Sequence, residues 1–339
     1  MEFLKSIFRK KASTELVENL VDNKVYALTC AAWCGNRSAF IQLENLAESG
    51  DLIAAGYLVY LFSRVLNERH RSAPLLQRVS NNIHNIQRSI HQEFVQAVCL
   101  GESRRRCDKL RAIKHYHRAA SLGHGIARHQ LGYIYHTGEG IESNKVESVR
   151  WYSLAAEQGL AASQNNLGHC YEKGIGVKIN NNDAMNWYSL AANKGLATAQ
   201  NNVGYCYRHG IGVHPDLVEA VRWYRMAAAQ GLPVAQNNLG QCYADGQGVQ
   251  IDVDEAVRLY SLAAEQGFAV AQHNLGCCYK RGEGVAIDFN EAAKCFSLAA
   301  AQGLDIAKYE LDELIRSGRN NHNTRRILRL DGNLEMIFT

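Results

Sequence analysis

Residues 163–198 read SQNNLGHCYEKGIGVKINNNDAMNWYSLAANKGLAT, and this signature returns along the chain at a spacing of 36 residues. Leu167-Gly168 has counterparts in Leu131-Gly132, Val203-Gly204, Leu239-Gly240 and Leu275-Gly276. Tyr171 recurs as Tyr135, Tyr207, Tyr243 and Tyr279, and the glycine pair Gly174/Gly176 as Gly138/Gly140, Gly210/Gly212, Gly246/Gly248 and Gly282/Gly284. Later in each copy, Trp187-Tyr188 matches Trp151-Tyr152, Trp223-Tyr224, Leu259-Tyr260 and Cys295-Phe296. Alanine pairs then begin at Ala155, Ala191, Ala227, Ala263 and Ala299, and Gly159, Gly195, Gly231, Gly267 and Gly303 close the copies. Five uninterrupted copies over residues 127–306 mark an array in which each unit completes its neighbour's core.

The spacing within a copy predicts two antiparallel helices. A first helix over 163–173 sets Leu167 and Tyr171 on one face, with Gly168 letting a neighbouring helix come close. The Gly-Ile-Gly-Val turn ends it, because paired glycines accept the positive φ of a helix stop. A second helix over 183–194 packs Ala184, Trp187, Tyr188, Ala191 and Ala192, and Trp187→Ala is expected to cost ~3 to 5 kcal/mol as the loss of a packed aromatic. The fold class is therefore all-α, a right-handed α-solenoid of stacked antiparallel helix pairs.

The pattern Ala/Ser-x3-Leu-Gly-x2-Tyr-x2-Gly-x-Gly-Val, followed by Ala-x2-Trp-Tyr-x2-Ala-Ala-x2-Gly, resembles the Sel-one-like repeat (SLR), a relative of the tetratricopeptide repeat. Residues 91–126 keep register through Ala112, Tyr116, Ala119-Ala120 and Gly123 but lack the glycine turn, so they read as a degenerate repeat. Residues 1–90 read as a degenerate helical region with one worn copy around Leu46 to Leu58. Residues 307–339 read as a capping helix, opened by Ala307 and Leu311, and an apolar tail that folds back over the last repeat.

Other chemistries compare poorly with this reading. The Gly-x-Gly turns follow helices rather than strands, which is turn geometry and not a phosphate loop. Cys170, Cys206, Cys242 and Cys278 recur once per unit, ~10 Å from one another, too far apart to pair, so they read as small buried residues of a reducing compartment. Cys30 and Cys34 lack a second ligand pair for a metal. No cofactor and no metal site is expected. The start, with Phe3, Leu4, Ile7 and Phe8 beside Lys5, Arg9, Lys10 and Lys11, is better suited to capping the array than to a membrane surface. No apolar run reaches the ~18 residues of a membrane span, and the start Met1 to Lys11 has no apolar stretch of signal-peptide length before its charges, so a cytosolic compartment is expected. Residues 1–126 hold 18 Lys/Arg against 11 Asp/Glu, and residues 127–306 hold 13 against 17, so the basic run Arg104-Arg105-Arg106 is local. It lacks the interleaved aromatics of a nucleic-acid platform.

What the resemblance implies is an adaptor: a non-enzymatic scaffold that binds a protein partner, with no nucleic acid and no small-molecule substrate, in the cytoplasm or in a host cell if delivered there by a bacterium. The alternative is an enzyme or enzyme regulator whose activity lies in the off-pattern residues 1–90. By analogy with tetratricopeptide arrays, the first helices line a concave groove. That groove is expected to present Asn165, His169 and Lys173, then Asn201, Tyr205 and Arg208, then Asn237 and Gln241, then His273 and Arg281, together with His129 and His136 at its start. Asn165, Asn201 and Asn237 form a ladder suited to a peptide backbone, whereas Asn166, Asn202, Asn238 and Asn274 suit local bonding.

Overall fold

The computed structural model describes residues 25–33, 36–49, 51–61, 73–75, 77–79, 90–101 and 106–317, and the described residues contain helices and no strand. The amphipathic start, Cys34, Arg104-Arg105 and the apolar tail lie outside them. The chain divides into two compact units, Met1–Ala199 and Gln200–Thr339. Unit 1 contains α1 (25–33), α2 (Arg37–Glu48), α3 (Leu52–Tyr60), α4 (Ile90–Gly101), α5 (Arg106–Ser121), α6 (Gly125–Thr137), α7 (Lys145–Glu157), α8 (Ala161–Lys173) and α9 (Asn181–Asn193). Unit 2 begins within α10 (Ala197–His209) and continues with α11 (Leu217–Ala229), α12 (Pro233–Asp245), α13 (Val253–Glu265), α14 (Ala269–Arg281), α15 (Phe289–Ala301) and α16 (Asp305–Arg316). Within each unit, consecutive helices pack in pairs and each pair packs on the next, which is the architecture of an α-solenoid.

Three local devices build a pair. The first is the stop of α8, where Gly174 sits at φ 68° and its N–H bonds the Cys170 carbonyl. Gly176, at φ 70°, has no room for a side chain, since a Cβ there would fall 2.1 Å from the Lys145 carbonyl oxygen at the start of α7. The turn of one repeat is thus seated on the preceding second helix. The second device, absent from the sequence expectations, is an Asx cap. Asn180 accepts from the N–H groups of Asn182 and Asp183, while its own N–H returns to the Tyr171 carbonyl at 3.0 Å. Asn144, Asp216, Asp252 and Asp288 do the same work in their own repeats.

The third device is the close approach that Gly168 was expected to permit. A Cβ at Gly168 would lie 2.8 Å from the Tyr188 ring and 3.1 Å from the Ala184 carbonyl. The aromatic that uses this space is Tyr188, at 1% exposure, whereas Trp187, expected beside it as a packing residue, is half-buried. The two residues are adjacent on α9 and therefore about 100° apart around it; the tyrosine points at the partner helix and the tryptophan at the neighbouring repeat. There Trp187 packs on a cluster of Tyr152, Ala156, Leu167 and Cys170.

The front of unit 1 keeps helices without the glycine turn. Asn36 caps α2 and Asp51 caps α3. Tyr57 is fully buried, stacks on Phe94 at 5.0 Å, and lies 2.7 Å through its hydroxyl from Nε2 of His124. His124 occupies the place of Leu160 and Leu232 in later repeats and caps α6 through Nδ1, which accepts from the Ala127 N–H. A backbone N–H is always a donor, so Nδ1 is unprotonated and Nε2–H donates to Tyr57.

Tyr188→Ala is expected to lower stability by ~3 to 5 kcal/mol, and Trp187→Ala by less, as urea-unfolding midpoints would show. Equal losses would contradict the assignment of the tyrosine as the anchor.

Candidate functional site

The residues proposed from sequence to face a partner fall into two layers in unit 2. Asn201 and Asn237 are buried, at 8% and 3% exposure. Their side-chain oxygens accept from the amides of Asn238 and Asn274, at 2.9 and 2.8 Å. The two asparagine ladders are therefore one structure that ties each first helix to the next. Asn201 and Asn237 stand behind the surface, not on it. A parallel ladder of glutamines, unforeseen in the sequence reading, runs beside it: Gln230, Gln266 and Gln302 donate to the buried Gln200, Gln236 and Gln272 at 2.8, 2.9 and 2.9 Å. Its signal was present, as glutamine recurs at that place every 36 residues.

The outer layer is formed by side chains of α10, α12 and α14. Tyr205 is exposed, its ring 4.0 Å from that of His209, whose Nδ1–H donates to the Tyr205 carbonyl at 2.9 Å. Arg208 reaches across the repeat boundary and donates to Gln241 at 3.3 Å. His273 is half-buried and donates through Nδ1 to Asn274 at 3.3 Å, with the Cys277 sulfur 3.6 Å from Nε2. Lys280 is gathered in by Glu310 and Glu313 of α16, at 2.8 and 2.5 Å, and those carboxylates raise its pKa against the desolvation that opposes it. Arg281 is exposed beside Glu283 at 3.1 Å. The result is an outward row of Tyr205, His209, Gln241 and Arg281 over a polar seam.

Unit 1 carries the remaining predicted residues. His169 and Lys173 are exposed and Asn165 is half-buried. Desolvation works to raise the Glu172 carboxyl, but hydrogen bonds from Lys173 and Tyr188 outweigh it and hold the group below the usual range. His136 is half-buried, its pKa lowered by desolvation and by nearby Lys145 and His169. His129 does not face a groove: it is fully enclosed, with Trp33 edge-on at 4.9 Å and Nδ1 2.8 Å from the Ser163 hydroxyl. Burial pushes its pKa down to about 3, so it is neutral at physiological pH. Burial likewise pushes the Cys170 and Cys278 thiols up to about 11, which makes them packing groups rather than nucleophiles. Among the described residues, no cluster of three or more His, Cys, Asp or Glu is placed to hold a metal ion, and no helix is long and apolar enough to cross a membrane.

Comparison with known proteins agrees with this geometry. The Sel1 repeat family matches at residues 98–124, 125–160, 161–196, 197–232, 233–268 and 269–304, more than half of the chain. The crystal structure of a Sel1 repeat protein from Oxalobacter formigenes is 33% identical, over 69% of this chain and 95% of that one, with a TM-score of 0.61. A protective antigen present in uropathogenic Escherichia coli strains, displaying an SLR fold, is 31% identical with a TM-score of 0.60; the match covers 80% of this chain and spans 58% of the antigen. No curated protein matches.

Two outcomes follow from the burial pattern. Asn237→Ala is expected to destabilise by ~1 to 3 kcal/mol, because the half-buried Asn274 amide loses its acceptor, whereas Tyr205→Ala is expected to be nearly neutral in urea unfolding. The second concerns pH. An unfolded chain protonates His129 near pH 6.5 while the folded one holds it neutral to about pH 3, so its contribution is complete above about 6.5 and is lost as pH falls. Between pH 7 and pH 4 this amounts to roughly 3 kcal/mol, and His129→Asn should remove that part of the acid sensitivity in paired urea titrations.

Proposed function

The chain belongs to the Sel1 repeat family, and on that premise we propose that it is a non-enzymatic scaffold that holds a protein partner on the first-helix face of unit 2. The family is generally a protein-interaction fold. The observation that carries the reading is how the copies differ. Positions that build the pair repeat with little change, as in Gly204, Gly240 and Gly276 or Tyr224, Tyr260 and Phe296. The outward positions change from copy to copy: Tyr205, Gln241 and Cys277 are equivalent, as are His209, Asp245 and Arg281. A constant frame with variable outward chemistry is what recognition of one extended partner requires. Mixed charge along the row suits a protein better than the uniform negative backbone of a nucleic acid.

Two further observations support this reading. In the described part of residues 1–90, Tyr57 is buried under Phe94 and bonded to His124, so these polar and aromatic groups serve packing there. The ladder Cys170, Cys206, Cys242 and Cys278 consists of buried free thiols, in keeping with a reducing, cytoplasm-like compartment, including that of a host cell.

The test is a combined variant of the outer layer, Tyr205→Ala, His209→Ala, Gln241→Ala and Arg281→Ala. It is expected to lose the partners captured by the full chain while helicity and melting temperature stay at the parent's values. Capture at parental strength would remove the partner from this face.

A further inference from the structure

Position 259 breaks the repeat in the interior. Trp151, Trp187 and Trp223 fill this place in three copies, and Leu259 fills it in the next. Unit 1 shows what the indole does there. Trp151 packs, as Tyr135 does, on the core that includes Ala120 and Leu131, and His117 meets it edge-on at 5.4 Å while lying 3.2 Å from the Tyr135 hydroxyl. One repeat later, Trp187 packs against the cluster of Tyr152, Ala156, Leu167 and Cys170, as Tyr171 does. The corresponding residues in unit 2 are Ala228, Leu239 and Tyr243, with Arg225 in the place of His117. All four line a cavity of about 450 Å³ together with Leu259 and Leu262.

We propose that this cavity is a docking site for a tryptophan side chain of a partner peptide, with an acidic residue beside it. The chain supplies its own template for the occupant. Counterparts of the alanine and leucine in the cluster on which an indole packs in unit 1, and of the tyrosine packed on the same cluster, are all present, and the indole is not. The volume lies within the ~300 to 1,000 Å³ typical of pockets that enclose a ligand, and a buried aromatic anchor is the usual centre of a protein interface.

Arg225 defines the rest of the ligand. Its guanidinium carbon lies 5.6 Å from the centre of the Tyr243 ring, and Nη2 donates to the tyrosine hydroxyl at 3.0 Å. The neighbouring Arg258 is already paired with Glu255, at 2.6 and 2.7 Å, whereas Arg225 makes no salt bridge among the described residues. The rim therefore holds one cation in excess, exposed and able to stack on an indole or pair with a carboxylate. Equivalent positions elsewhere carry His117, Ser153, Ser189, Ser261 and Ser297; tryptophan is also replaced at Cys295, where that neighbour is Ser261, so the arginine belongs to the Leu259 site alone. This site lies away from the first-helix row and goes beyond the function proposed above.

The experiment titrates the full chain with the acetylated, amidated peptide Gly-Glu-Trp-Glu-Gly, followed by calorimetry and by amide NMR shifts around residue 259. Saturable binding is expected for this peptide and none for its Trp-to-Ala counterpart. Leu259→Trp, which restores the repeat's own residue, should abolish binding without lowering the melting temperature. Arg225→Ala should weaken it roughly tenfold and remove the preference over a peptide with Gln for Glu. The Tyr205, His209, Gln241 and Arg281 variant should bind the peptide as the parent does, so the two readings fail separately. No binding to the parent, equal binding of the Ala peptide, binding of free N-acetyltryptophanamide as tight as the peptide, or Leu259→Trp binding at parental strength would each overturn the proposal.

Discussion

An aromatic ring seated directly on a glycine is the contact on which every full repeat depends. Cβ atoms placed at Gly204, Gly240 and Gly276 would each fall within 2.8 Å of the ring of Tyr224, Tyr260 or Phe296. Any side chain there pushes the second helix outward and unseats the turn that joins the pair. The turn has no slack to absorb such a shift, because Gly248 and Gly284 abut the carbonyls of Leu217 and Val253 at the start of the preceding second helix. Helix spacing within a pair and seating between pairs are thus coupled through glycine, and the alanines on the facing helix keep that spacing short.

Apolar packing of this kind sets distance but resists sliding weakly, since Ala, Leu and Tyr faces at a regular period fit one another in more than one register. The buried amides supply the register. A Gln236–Gln266 or Asn237–Asn274 pair contributes modestly when made, yet a slipped array leaves the buried Gln236 and Asn237 unpaired, at ~1 to 3 kcal/mol each. Repetition of the penalty along unit 2 makes one stacking arrangement far better than its neighbours. Polar residues inside the seam act as specificity devices, and the residues left for recognition are those one turn further out.

The sequence showed most of the fold because the determinants recur at a fixed period: Leu-Gly, the motif tyrosine, the turn glycines and the alanine pairs all land where the spacing placed them. It was less readable wherever two similar residues are adjacent. Trp187 and Tyr188 both qualify as core aromatics by pattern, and only internal comparison separates them: the tryptophan place tolerates Leu259 and Cys295, while the tyrosine place keeps Tyr260 and Phe296. Asn237 and Asn238 are ambiguous in the same way, since the bond that decides their roles spans 37 residues and no local rule predicts it. The burial of His129 is hidden for another reason. Its cover comes from Trp33, in a segment with no register against the repeats, so nothing in the period announces its burial.

Repeat architecture also explains how a core tryptophan can be absent in the middle of an array. Stability in such proteins is close to a sum over units and nearest-neighbour contacts, so a loss at one interface is felt there and not along the chain. Leu259 remains 3% exposed within the cluster of Tyr224, Ala227, Leu239 and Cys242, so part of the lost packing is retained. What is missing is the outer part of the indole, next to the rim where Arg225 and Tyr243 already meet. In a single-cored globular domain the same vacancy would tend to close by collapse of its walls, which here are held by the glycine-seated helices on either side. A period rigid enough to preserve an empty place is also rigid enough to give it a fixed shape, which is the first requirement of a binding pocket.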